Sequence, residues 1–129
     1  MARTKLEHVG VMVTNLERSI TFYQNIVGLT LKDTLIHSNG VMRLAFLGFG
    51  QAGETELELI EGYNDRLPVE GKVHHIAFTT DDIEEEFTRI QSLDLKLIDS
   101  EITTLPNGSR YFFFHGPDRE WIEFFQSTR

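Results

Sequence analysis

Two stretches of the chain are copies of each other. Leu6-Glu7-His8-Val9-Gly10-Val11, followed by Leu16, Ile20 and Tyr23, lines up with Val73-His74-His75-Ile76-Ala77-Phe78, followed by Ile83, Phe87 and Ile90, each matched pair 67 positions apart (75 minus 8). Farther along, Leu57-Glu58-Leu59-Ile60 lines up with Ile122-Glu123-Phe124-Phe125. A tandem repeat limits the fold sharply, because each copy is one supersecondary unit that cannot bury its apolar face alone. Each copy also places a histidine on its first strand and a glutamate on a late one.

The 129 residues, 40% of them apolar, suffice for a single domain (1–129) with a core that needs no staple. With no cysteine in the chain, disulfides, zinc-thiolate sites and thiol nucleophiles are excluded. The formal charge is −8, and the acidic residues are scattered apart from Glu84-Glu85-Glu86. That balance opposes nucleic acid or an anionic membrane as the main partner and leaves small molecules. Met1-Ala2-Arg3-Thr4-Lys5 runs into a strand without an apolar leader, and no run approaches the roughly 18 apolar residues of a membrane span. A cytoplasmic setting is the expectation.

The periodicities place the elements. Lys5 to Thr14 alternates as a strand, with His8, Gly10 and Met12 on one face and Glu7, Val9, Val11 and Val13 on the other. Asn15 reads as a helix cap, and Leu16, Ile20, Tyr23 and Val27 form one apolar stripe that stops at Gly28. Strands are expected at 29–36, 41–49 and 55–61, separated by Ser38-Asn39-Gly40 and Gly50-Gln51-Ala52-Gly53. Residues 5–61 are then a first β-α-β-β-β module, and 62–72, which lose periodicity, connect it to a second at 73–127. That second module should have a strand at 73–80, a helix capped by Asp81 or Asp82 and striped by Ile83, Phe87 and Ile90, and strands at 95–102, 110–115 and 120–125. The fold class is therefore α+β, tandem β-α-β-β-β repeats forming a concave mixed sheet.

Two strand-borne imidazoles and two strand-borne carboxylates make a mixed nitrogen and oxygen donor set for a divalent cation. His8, Glu58, His75 and Glu123 are the expected ligands. Such a set suits nickel, cobalt, iron or zinc better than magnesium or calcium, and four protein ligands leave two octahedral positions free. A single strand histidine is more often structural, and Glu56-Leu57-Glu58-Leu59 alone is an ordinary half-exposed strand. The recurrence of all four at equivalent positions of a repeat carries the argument.

These residues, with His74-His75-Ile76-Ala77-Phe78 and Gly116-Pro117-Asp118-Arg119-Glu120-Trp121-Ile122-Glu123-Phe124, resemble the vicinal oxygen chelate superfamily over nearly the whole chain. Within it, the His, Glu, His, Glu set and the short length are similar to compact bacterial glyoxalase I, the lactoylglutathione lyases. The resemblance implies a homodimer, in some members with a site shared between subunits, and Ni2+ or Co2+ as the favoured cofactor, with Zn2+ also compatible. It implies a lyase that converts the hemithioacetal of methylglyoxal and a small thiol into an S-lactoyl thioester by moving a proton between adjacent carbons. Glu123 would be the base, because of the four ligands only a carboxylate can leave the cation and shuttle a proton at neutral pH, and Glu58 would be its counterpart.

Glutathione-using members carry an arginine where this chain has Met12 and an asparagine where it has Gly62, so the resemblance carries over on the metal side and not on the thiol-recognition side. Methylmalonyl-CoA epimerases share the paired histidines but typically have glutamine at the place of Glu58. Bleomycin-resistance relatives, which bind without turnover, usually lack the ligands. Extradiol dioxygenases and fosfomycin-modifying transferases use three ligands. Of the remaining candidates, His74 should point to the sheet face opposite His75, His37 should be solvated beside a turn, and His115 should end a strand. The Tyr111-Phe112-Phe113-Phe114 run should be core. Arg43 and Arg110 are the cations that an anionic substrate would need, on faces that the sequence leaves open.

Overall fold

The computed structural model describes residues 3, 5–64, 66–68, 71 and 73–128. The chain divides into two compact units between Leu67 and Pro68. In the first, β1 (His8–Val13) leads into α1 (Leu16–Phe22), followed by β2 (Thr30–Ile36), β3 (Arg43–Gly48) and β4 (Glu56–Glu61). The sheet order is β1-β4-β3-β2, with β1 and β4 parallel and the other pairs antiparallel. Alternation along β1 and β4 works as the residue types demand. Val13, Leu57 and Leu59 are buried with Leu16 and Tyr23, and each such side chain taken from water contributes about 1.5–3 kcal/mol. His8, Gly10 and Glu58 occupy the other face.

Two side chains start α1. Asn15 Oδ1 accepts from Arg18 N–H at 3.0 Å and Glu61 Oε2 accepts from Leu16 N–H at 2.8 Å, satisfying donors that a helix leaves open. The apolar stripe predicts a helix up to Val27, but α-helical bonding stops at Phe22 and a π-helical turn, Tyr23–Val27, completes the element. The amide N–H groups of Gly28 and Leu29 both reach back to the Tyr23 carbonyl, at 3.1 and 3.0 Å. Gly28, at φ 93°, takes the left-handed turn that ends the helix without the strain a β-carbon would bring.

The second unit repeats the plan with β5 (Ile76–Thr79), α2 (Ile83–Ser92), β6 (Thr103–Thr104), β7 (Arg110–His115) and β8 (Trp121–Gln126), in the order β5-β8-β7-β6. Asp82 Oδ1 caps α2 at Glu85 N–H (3.1 Å), and Gln126 Oε1 accepts from Ile83 N–H (2.8 Å), as Glu61 does for Leu16. Ile83, Ile90, Phe112, Phe114, Ile122 and Phe124 are buried. Both units thus show the α+β fold of repeated modules that the sequence predicts.

One expected strand is not formed. Within 95–102 the chain makes a single bridge, Leu97 to Phe114, and regular pairing resumes only at Thr103–Thr104 opposite Tyr111 and Arg110. Asp99 is the reason: its Oδ2 accepts the Phe113 N–H at 2.8 Å, taking the place of a ladder carbonyl, and the backbone loops away from β7. The Asp99-Ser100 pair inside an otherwise apolar run is a turn-former that competes with the ladder.

Candidate metal centre

In the first unit the parallel register sets His8 opposite Glu56 and Gly10 opposite Glu58. His8 Nε2 lies 3.5 Å from Glu58 Oε1. The carboxylate fits there because Gly10 has no side chain; a β-carbon at that position would stand 3.2 Å from Glu58 Oε1 and 3.1 Å from Ile60 Cδ1. Phe46, facing Glu58 on β3, meets the His8 ring edge-on at 6.0 Å. The Nδ1 side of the ring is held by Glu7 Oε1 at 2.6 Å.

The second unit builds the same arrangement. His75 Nε2 lies 3.4 Å from Glu123 Oε1, and Glu123 sits on β8 opposite Ala77. Phe113, facing Glu123 on β7, meets the His75 ring edge-on at 5.0 Å. The structure therefore brings His8 to Glu58 and His75 to Glu123. Among the described residues, no three His, Asp or Glu side chains form one cluster suited to a metal ion.

The two settings differ in charge. Burial pushes the Glu123 carboxyl above its ordinary range, and the negative charge of Asp99 adds to the effect. The hydrogen bond that His8 donates to Glu7 raises His8, whereas burial, with His74 beside it, lowers His75. The second pair is slightly the less exposed, with 35% of His75 and 8% of Glu123 accessible against 42% of His8 and 13% of Glu58.

The residues present fit a divalent cation. Donors 3.4–3.5 Å apart suit two ligands each about 2.1 Å from one ion, and imidazole nitrogen with carboxylate oxygen is the set that zinc, nickel and cobalt accept. Each imidazole also has its far nitrogen occupied, as metal-binding histidines do.

Several expectations need correction or completion. His74 does not turn to the opposite face: β5 begins at Ile76, so His74 and His75 precede the ladder, and their Nδ1 atoms lie 2.9 Å apart. His74 also packs edge-on to Trp121 at 5.0 Å. Of the aromatic run, Phe112 and Phe114 are core, but Tyr111 and Phe113 lie on the other face of the sheet with Glu123. Arg43 is held by Glu17 and Glu61, and Arg110 by Glu84, so both cations are engaged in ion pairs. His37 is exposed, with Nδ1 accepting from Asn39 N–H, and His115 ends β7 with Nδ1 3.1 Å from the Arg119 carbonyl. The sequence set Glu7 on the face opposite His8, as it set His74 opposite His75, and gave Phe46 no role, whereas Glu7 touches the His8 ring. The signal was present, since Glu7 pairs with His74 and Phe46 with Phe113 at the same repeat distance as the histidines.

The chain belongs to the Glyoxalase/Bleomycin resistance protein/Dioxygenase superfamily, which its residues 5–124 match. It is 58% identical to the uncharacterized protein YwbC of Bacillus subtilis over 122 residues, covering 95% of this chain and 97% of that one. It is 32% identical to a lactoylglutathione lyase of Neisseria meningitidis, covering 95% of this chain and 90% of that one. The trypanothione-dependent glyoxalase I of Leishmania major superposes with a TM-score of 0.80 at 26% identity, over 96% of this chain and 87% of that one. Among the described residues, no helix is long and apolar enough to cross a membrane.

Proposed function

We propose that the chain is a metal-dependent isomerase of the glyoxalase I type, acting on the adduct of a small 2-oxoaldehyde such as methylglyoxal with a low-molecular-weight thiol. The observation that carries this reading is the twofold recurrence of an imidazole Nε2 and a carboxylate oxygen 3.4–3.5 Å apart at equivalent places of the repeat. The likeness to lactoylglutathione lyases supports it. His8, Glu58, His75 and Glu123 would hold one cation, Ni2+ or Co2+ by preference with Zn2+ also compatible. Each pair is complete within its own unit, so two copies of the chain can each contribute one pair to a site in a homodimer.

A bound divalent cation supplies a Lewis acid for the two neighbouring oxygens of such a substrate and so acidifies the proton on carbon. Glu123 takes that proton from one carbon and returns it to the next. Of the four ligands only a carboxylate can leave the cation and carry a proton at neutral pH, which is why the role falls to a glutamate. The phenyl rings of Phe46 and Phe113 border the two histidines and fix their orientation. Met12 and Gly62 stand where glutathione-using members have their anchoring residues, which favours a different thiol carrier.

The test is metal analysis of the purified protein together with an isomerase assay on methylglyoxal with several thiols and several divalent ions. Stoichiometric Ni2+, Co2+ or Zn2+ and metal-dependent thioester formation are expected. A metal-free protein that captures a small molecule without turnover would replace this reading with a binding function. Metal-dependent epimerisation of an acyl thioester without isomerase activity would replace it with the epimerase chemistry of the same fold.

A further inference from the structure

The ring nitrogen that each paired histidine turns away from its glutamate is occupied by the residue just before it in the chain. Glu7 Oε1 lies 2.6 Å from His8 Nδ1, and His74 Nδ1 lies 2.9 Å from His75 Nδ1. Glu7 and His74 are themselves equivalent in the repeat. Side chains of successive residues on a regular strand point to opposite faces, so neighbours that touch need a break in the strand. Both do so at a strand entry, since Glu7 precedes β1 and His74 precedes β5.

A neutral imidazole carries one N–H, and the partner of one nitrogen decides which nitrogen keeps the lone pair. We propose that Glu7 and His74 are the positioning residues of the two pairs, each accepting the Nδ1–H of the following histidine so that its Nε2 lone pair faces the paired glutamate and a cation bound there. For His8 the acceptor is a carboxylate, which takes a proton-bearing nitrogen and no other. For His75 the neighbour is another imidazole; either ring could donate across the 2.9 Å contact, and the proposed alignment requires His74 to carry its own proton on Nε2. Its freedom to turn is limited by the edge-on contacts with Trp121 at 5.0 Å and Phe113 at 6.4 Å. The same alignment is thus reached with two acceptors of different charge. The charged one, in a hydrogen bond short enough to be charge-assisted, strengthens its histidine more.

The tautomer part of this inference stands on the hydrogen bonds alone, and the affinity part rests on the metal reading above. Two measurements separate them. Ring nitrogen-15 shifts of the metal-free protein, recorded at a pH where the imidazoles are neutral, should show Nδ1 protonated on His8 and His75 and Nε2 protonated on His74. In Glu7→Ala the His8 preference, and in His74→Leu the His75 preference, should be lost, while Glu7→Gln and His74→Asn, which keep an acceptor oxygen, should retain it. Competition with a chelator should show Ni2+ bound about 10- to 100-fold more weakly by Glu7→Ala and several-fold more weakly by His74→Leu, with most of the loss recovered in Glu7→Gln and His74→Asn. A proton on Nε2 of His8 or His75 in the metal-free wild type overturns the inference, as does unchanged Ni2+ affinity in both truncated variants. A wild type that takes up no metal refutes the chelate reading, and the ring tautomers still decide the role of Glu7 and His74.

Discussion

The first unit sets His8 against Glu58 beside Gly10, with Glu7 behind the ring; the second sets His75 against Glu123 beside Ala77, with His74 behind the ring. The donor spacing is the same, yet the surroundings have diverged. The first unit has Lys32, at the register shift of β2, with its ammonium 2.9 Å from Glu56, and the second has Asp99, whose charge bears on Glu123. Lys32 and Asp99 are again 67 positions apart (99 minus 32). The second face is also the more aromatic, with Phe113 in contact with both Tyr111 and Trp121. A duplicated strand pattern therefore fixes where each histidine meets its glutamate, while substitution around them leaves the second pair the less exposed of the two.

Unequal glutamates give the largest expected effect. Glu123→Gln should lower turnover by about 10^2 to 10^4, and Glu58→Gln should lower it by a smaller factor. Equal losses in steady-state assays would break the division of labour. Next in size is a mixing experiment with His8→Ala and His75→Ala, each expected to lose metal and activity alone. If each site draws one pair from each copy, re-equilibrated equal mixtures should regain roughly a quarter of wild-type activity, because half the dimers then hold one intact site of two. No recovery would place each site within one chain.

Smaller effects sharpen the contrast further. Gly10→Ala should push Glu58 by a few tenths of an ångström and weaken Ni2+ binding several-fold, measured by chelator competition, whereas Ala77→Gly should leave it nearly unchanged. Ring proton shifts followed against pH in the metal-free protein should show His8 titrating above and His75 below the ordinary value of 6.5. Glu7→Gln should bring His8 back toward it. The smallest effect concerns stability without metal. Because the Glu123 carboxyl is raised, the folded chain keeps a proton that the unfolded chain releases, so stability falls as pH rises from about 4.5 through the folded value. Glu123→Gln should remove that fall and leave a slightly higher Tm at pH 7; an unchanged pH profile would refute the burial argument.

Much of this was legible in the chain, for reasons that differ by element. The valine alternation of β1 and the stripe from Leu16 specified a strand and a helix because burial acts on side chains at the period of the backbone. The 95–102 strand misled because hydrophobic period says nothing of a side-chain carboxylate that can replace a ladder carbonyl, as Asp99 does. The π-helical turn after Phe22 was equally silent, since its apolar residues keep a helical stripe.

The sequence by itself determined the repeat, the α+β order and the recurrence of a histidine and a glutamate in each copy, because residue type and spacing are one-dimensional facts. Tertiary structure decided which histidine meets which glutamate, that Phe46 and Phe113 flank them, and that His74 turns toward His75 rather than away. Those outcomes depend on strand register and on where each ladder begins, and both are set by hydrogen bonds between segments about 50 residues apart in the chain.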